Sequence, residues 1–503
     1  MKRNLLLLFF LFSGNLFAQN PDQAALENLA DKNWQHGLSL LTELVSIPND
    51  AAYPEQIKPN IDWCKAQFAS RSFEIQELET GGIPLLLVEK KSTGASQTLL
   101  FYVHVDGQAV DRSKWDQDDP YTPVLKEMST SGEWKTIPME RLTNEYDADW
   151  RIFARSTSDD KGPLAMFLTA WDALSEEGIS PDFNVKLILD FEEEQGSPLL
   201  PVAVKTHREK LRADQMIIID GPRHISNEPT LTYGARGIAD MTLTTYGPVV
   251  PQHSGHFGNY APNPALLLAQ LLASMKDPDG RVVIPGFYDG ITLSEEEKAI
   301  LAAVPDDEDA IRDRLQIARI DQVGSYYQEN IQYPSLNIRG MSSAWVGKET
   351  RTIVPATALA EIDIRLVPES DPNRLFQLIE THIENQGFTI LDHEPSKEER
   401  MKYPKIAQLN KSISYVAFRT SMDSDAAALL RAAMQRAFGK QPVQIRISGG
   451  SVPISPFVEA LNIPAITVPT VNADNNQHSP NENIRLGNYK DGIITMMAIL
   501  TQK

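Results

Sequence analysis

The sequence predicts an α/β protein, a larger domain with a mostly parallel sheet flanked by helices and interrupted by a ferredoxin-like α+β lid domain. Three observations predict it. Short apolar runs at 99–105, 185–191, 216–219 and 465–468 lack helical period and suit strands buried on both faces. Helical patterns alternate with them, including 163–175 and 199–211. Between 230 and 394 the pattern changes to alternating strands and apolar-faced helices in the order β-α-β-β-α-β. At 503 residues the chain also exceeds one ordinary compact domain.

Taken in order, Lys2 and Arg3 precede the apolar run 5–12, and the stretch ends at Leu16-Phe17-Ala18. A basic flank, a short apolar core and a small terminal residue are expected to form an export signal over residues 1–18. The run is too short to span a bilayer as a mature helix. Helices are expected at 24–46 and 55–70, within a first segment of the larger domain covering 19–229. The segment 121–150 is expected as a flap over the cleft. In the lid, 230–394, strands are expected at 239–246, 336–344 and 357–367, with 388–391 as the closing strand. Helices fall at 264–275 and 371–385, and 277–332 reads as a charged insertion. Residues 395–503 return to the larger domain.

Composition narrows the function. Lys plus Arg is 47 and Asp plus Glu is 67, a net charge of −20, which argues against a broad nucleic-acid surface. Cys64 is the only cysteine, so neither a disulfide nor a thiolate metal site is available within the chain. Beyond the N-terminal run nothing is long and apolar enough to cross a membrane, so the expectation is an exported protein, periplasmic or secreted, with no membrane attachment in its mature form.

Acids and histidines fall where the buried strands end. The run 99–105 contains His104 and is followed by Asp106; two residues apart on a strand, both point to one side. A carboxylate there suits the second nitrogen of a metal-bound imidazole. Asp159 and Asp160 precede Pro163, where helix capping alone explains one acid. Glu192, Glu193 and Glu194 follow the next strand and repel one another unless a cation sits among them. Asp220 ends a third strand, and the strand at 465–468 leads towards His478. Each motif alone has a bland explanation as a surface turn or cap. Four buried strands leading to possible ligands at one sheet edge do not. Two imidazoles and several carboxylates without thiolate match zinc, manganese or cobalt. A bridged pair of such ions activates water at neutral pH.

The stretches His104-Val105-Asp106-Gly107, Ser158-Asp159-Asp160-Lys161-Gly162-Pro163, Glu193-Glu194-Gln195-Gly196-Ser197, Asp220 and His478-Ser479-Pro480-Asn481-Glu482 resemble the di-zinc metallopeptidase family of carnosinases, aminoacylases, carboxypeptidase G and succinyl-diaminopimelate desuccinylase. The resemblance covers nearly the whole chain and is best for the carnosinase-like branch. It implies two divalent ions, zinc foremost, with His104, Asp159 and Asp220 on one and Asp159, Glu194 and His478 on the other. It implies Glu193 as general base and Asp106 as the acid that orients His104. Substrate contacts are implied for His253 in a loop reaching a partner's site, for Thr352 and Arg365 on a terminal carboxylate, and for Ser451 in a glycine loop. The expected activity is hydrolysis of dipeptides or of C-terminal residues of short peptides by a homodimer built through the lid. An N-acyl amino acid amidohydrolase is the alternative, and a non-catalytic binding relative the remoter one.

Departures are confined to neighbours of these residues. Ala154-Arg155-Ser156 stands where relatives usually have Gly-Arg-Gly, Ser448 replaces a usual Glu, and Gln195 and Asn475-Asn476-Gln477 are unusual.

Overall fold

A computed structural model describes residues 20–450 and 453–503. The expected leader at 1–18 and Ser451 therefore lie outside the described residues. No described helix is long and apolar enough to cross a membrane.

The larger sheet has eight strands, in the order Glu74–Leu78, Leu85–Lys90, Asn184–Asp190, Thr98–His104, Gln215–Ile218, Ala465–Thr467, Thr230–Thr232 and Val443–Ile445. The four from Asn184–Asp190 to Ala465–Thr467 are mutually parallel, and antiparallel pairings flank them. The unbroken apolar runs follow from burial on both faces. Leu99, Phe101 and Val103 pack with residues of the Lys161–Glu176 and Leu486–Leu500 helices, while Leu100 and Tyr102 face Leu200, Val204 and Phe457. Burial of each such side chain stabilises the fold by roughly 1.5–3 kcal/mol. Because the four strands run the same way, their carboxyl ends open on one edge.

The segment expected as a flap supplies Val124–Met128 and Trp134–Ile137 to a four-stranded antiparallel sheet ordered Asn483–Arg485, Arg151–Phe153, Val124–Met128 and Trp134–Ile137. Pairing of Phe153 with Asn483 and Arg151 with Arg485 ties it to the chain after His478. It is a clamp between two distant loops.

The lid sheet runs Ser335–Ser342, Thr357–Leu366, Gly237–Tyr246, Ile406–Tyr415 and Thr389–Leu391. The first four have the ferredoxin-like order, with helices Pro264–Ala273 and Pro372–Asn385 in the connections. The expected closing strand is corrected here. Ile406–Tyr415 pairs antiparallel along Gly237–Tyr246, while Thr389–Leu391 is a short parallel edge beside it. The expected lid limit of 394 thus falls before its fourth strand, and Thr230–Thr232 at its other limit belongs to the larger sheet. The physical reason is burial: only Ile406, Ala407 and Leu409 of the fourth strand are buried, and 410–414 are exposed, so the apolar signal is weak. The expected helix at 24–46 is likewise two, Gln23–Lys32 and Trp34–Val45, because Asn33 leaves helical geometry. The chain passes between domains through paired Gly234–Ala235 and Phe418–Arg419, where a Cβ on Gly234 would lie 2.3 Å from the Phe418 carbonyl oxygen.

Candidate metal centre

His104 ends its strand with 1% of its side chain exposed. Its Nε2 lies 2.9 Å from Asp159 Oδ1, and its Nδ1 3.4 Å from Asp106 Oδ1. On the far side, His478 Nε2 lies 2.9 Å from Asp159 Oδ2 and 3.3 Å from Glu194 Oε2. Asp220 completes a group with His104 and Asp159, and Glu194 and His478 complete another with Asp159; within each, the potential ligand atoms lie within 4.8 Å of one another. Asp159 is common to both. His478, with 55% of its side chain exposed, marks the open side of an otherwise buried cluster.

Local folding puts these groups there. Asp106 is fully buried and accepts the backbone amides of Glu193 (3.1 Å) and Glu194 (3.0 Å), so one carboxylate serves the imidazole and the loop carrying both glutamates. Asp190 holds that loop from beneath, accepting from Ser197 Oγ at 2.6 Å, Tyr102 Oη at 3.0 Å and the Glu192 amide at 3.1 Å. Glu482, fully buried, accepts from Arg155 Nη1 (2.7 Å) and from the amides of Ser156, Ser158 and Asp159 (2.9, 2.9 and 3.0 Å). It fastens the loop bearing Asp159 to the loop bearing His478.

The unusual neighbours are explained by these loops. Ser156 adopts φ 62°, the conformation a glycine takes freely, and its hydroxyl accepts from Asn49 Nδ2 at 3.0 Å. Asn476, His478 and Asn481 also have positive φ, and asparagine tolerates that region. Asn475 Oδ1 accepts the Gln477 amide at 2.8 Å, and Asn476 Nδ2 donates to Asn481 O at 3.2 Å.

Charge distribution shows that the residues fit divalent ions. Lys161 Nζ donates to Leu44 O (3.0 Å) and Ile47 O (2.6 Å), and Arg155 is taken by Glu482, so neither cation serves the cluster. Apart from the two imidazoles no donor reaches the Asp159 carboxylate, and neither carboxylate oxygen of buried Asp160 has a side-chain partner among the described residues. Burial pushes the Asp160 carboxyl well up, reinforced by Asp220. Burial also raises Glu194 to about 7 and Asp220 to about 6, with Asp159 adding to both. Burial and the charges of Asp220, Glu194 and Asp159 hold Glu193 well above the usual carboxylate range, against the pull of His104. Burial alone would lower His104, yet Asp106 and Asp159 hold it well above its ordinary value. Asp159 raises His478 to about 9. Two cations among five ligating groups would relieve these perturbations.

The lid residues lie apart from this cluster. Gln252–His253 pairs with Ile353–Val354, and the Ser254 amide donates to Thr352 O at 3.1 Å. His253 and Thr352 are both exposed, and neither hydrogen-bonds to the cluster among the described residues. Arg365 lies on Thr357–Leu366, its Nε 3.6 Å from Asp363 Oδ2. Three supports were not assigned from sequence: Asp190, Glu482 and Tyr415, whose hydroxyl donates to Gly196 O at 3.1 Å. Glu482 stood inside a quoted motif and Asp190 at a strand end; Tyr415 carried no signal.

A two-histidine, three-carboxylate set at a parallel sheet edge, open at His478, in a fold with a second ferredoxin-like domain, is the arrangement of a metallopeptidase. The chain belongs to peptidase family M20/M25/M40, whose profile matches residues 100–502, and it is a peptide-bond hydrolase. The family resemblance read from the motifs is borne out. The Cys-Gly metallodipeptidase dug1 of Schizosaccharomyces pombe is 27% identical over 93% of this chain and 95% of its own. The human Beta-Ala-His dipeptidase is 25% identical over 97% and 94%. Among solved structures, an M20 family metallo-carboxypeptidase from Sulfolobus solfataricus superposes with a TM-score of 0.73 at 27% identity, covering 93% of this chain and 98% of that one. Members of the family bind a dinuclear metal centre. The expectation of export is corrected by these comparisons: the yeast Dug1 and Dug2 relatives are cytosolic proteins, and export is not carried forward.

Proposed function

We propose that the chain is an exopeptidase for dipeptides or the C-terminal bond of short peptides, with two divalent ions, zinc foremost, as cofactors. The observation that carries this reading is Asp159 shared between two ligand triads, with Glu193 beside them on the same loop as Glu194. His104, Asp159 and Asp220 would hold one ion, and Asp159, Glu194 and His478 the other. When bound, the ions supply Lewis-acid activation of a water and of the scissile carbonyl. Asp106 keeps His104 in one orientation through Nδ1 and fixes the glutamate loop through two amides. A Glu193 carboxylate oxygen takes the proton of the attacking water and returns it to the leaving amine nitrogen. Dipeptidase relatives over nearly the full length favour a short substrate.

Arg365, Thr352 and Ser451 are assigned to the substrate's terminal carboxylate, and His253 to the oxyanion in the site of a second copy of the chain. A homodimer through the lid fits its surface. Ser335–Ser342 is an edge strand, and Ile338, Met341, Trp345 and Val346 are 39%, 54%, 53% and 84% exposed.

The test is Glu193→Gln with metal content measured. Turnover of Cys-Gly and β-Ala-His dipeptides should fall about 10²–10⁴-fold at unchanged metal occupancy; undiminished turnover overturns the mechanism. Mixing inactive His253→Ala with inactive Glu193→Gln should restore part of the activity if sites are shared, and no recovery counts against sharing.

A further inference from the structure

The loop 192–197 that carries Glu193 is gripped from three directions. Asp190 holds it from beneath, Asp106 from the metal side, and Tyr415 from the lid. Among the described residues, the Tyr415 hydroxyl is the only lid group that hydrogen-bonds to this loop.

That contact is built by several coordinated features. Tyr415 is the last residue of the lid's fourth strand, and the register slips just before it: Ala239 faces Ile413, but Ile238 faces Tyr415. The extra residue, Ser414, is a β-bulge, a device that re-aims the next side chain. Glycines clear the path at both ends. At Gly237 a Cβ would lie 2.5 Å from the Tyr415 carbonyl oxygen, so the bulged chain can cross there. At Gly196, with φ +81°, a Cβ would lie 2.7 Å from the Tyr415 hydroxyl. The phenol ring stands in the wall of a cleft of about 860 Å³ that separates the lid's 413–416 from the loop's 195–198.

We propose that Tyr415 is a positioning residue that registers the base loop against the lid, so that Glu193 is correctly aimed only when the lid is seated. This rests on the hydrolase reading above, with Glu193 as base. The hydroxyl hydrogen of Tyr415 is donated to the Gly196 carbonyl oxygen, one peptide link beyond the short turn Glu193–Gln195. A shift of the lid therefore stretches a bond on the base's own loop. Tyr415 itself touches no ligating atom, so its effect belongs to turnover and not to metal capture.

The experiment compares wild type, Tyr415→Phe and Tyr246→Phe, all loaded with the same divalent metal. Tyr246 is the control: its hydroxyl donates to Gln408 Oε1 at 2.5 Å within the lid sheet, and it takes no part in the site. Tyr415→Phe should lower kcat on a dipeptide about three- to tenfold, leave KM within about twofold, and leave metal content and Tm unchanged. Amide hydrogen exchange across 192–197 should quicken in Tyr415→Phe and stay at the wild-type rate in Tyr246→Phe. The exchange measurement needs no turnover. Wild-type kcat and exchange in Tyr415→Phe overturn the proposal, as does an equal loss in Tyr246→Phe. Undiminished turnover in Glu193→Gln would instead overturn the hydrolase mechanism, so the two failures are distinguishable.

Discussion

His104 lies between Asp106 and Asp159 with 1% of its side chain exposed, whereas His253 is exposed and its Nδ1 accepts from Gly255, an amide of its own loop. The contrast extends to their surroundings. Around His104 the loops bearing Asp159 and the two glutamates are held by buried carboxylates: Asp106, Asp190 and Glu482. Around His253 and Thr352 the scaffold is two paired dipeptides and one backbone hydrogen bond. Groups that must share cations within tenths of an ångström are set by the core of one domain. The groups proposed to meet the substrate are carried on the exposed surface of the lid.

The sharpest way to break this comparison is Asp159→Asn, because Asp159 alone belongs to both ligand triads. Activity should disappear and bound metal should fall from two equivalents to below one, read by elemental analysis; two retained ions would show that the triads are independent. A rigid edge also implies that Glu482 acts on the whole fold. Glu482→Ala strands a buried arginine and three amides, and should cost about 3–5 kcal/mol in denaturant unfolding. A loss like that of a surface ion pair would mean the loops are held by something else.

Proton competition sharpens the same contrast on the metal side. Without metal, Asp159 raises His478 to about 9 and burial raises Glu194 to about 7, so both tend to hold protons that a cation must displace. Metal affinity of the stripped protein should therefore strengthen as pH rises from about 6, and level off above about 9. Calorimetry in buffers of differing ionisation enthalpy would count the protons released; affinity independent of pH would refute it. The smallest expected effect is on the lid. Arg365→Lys should raise KM about tenfold or more with kcat and unfolding little changed, since a lysine cannot make the paired contact to a carboxylate. A matching loss of stability would place Arg365 in the scaffold.

Much of the site was legible because chemistry and periodicity are local. His104, Asp106, Asp159, Glu193, Glu194, Asp220 and His478 stand at the ends of apolar runs or in short polar motifs, and parallel strands collect their ends on one edge. The lid's fourth strand was illegible because half of it is exposed and polar, and its place is set by pairing with Gly237–Tyr246. The segment 121–150 reads as a flap because the strand that joins its sheet to the rest of the domain, Arg151–Phe153, pairs with Asn483–Arg485, more than three hundred residues away.

The amino-acid sequence determined which groups can bind cations, their order along the chain, and the alternation of buried strands and helices, since each depends on neighbours a few positions apart. Only the tertiary structure decided that Glu482 joins two ligand loops, that Ser156 takes a glycine's conformation, and that a one-residue bulge turns Tyr415 onto the base loop. Those outcomes depend on register, burial and close approach between segments far apart in the chain, where one residue of slip sends a side chain to the opposite face.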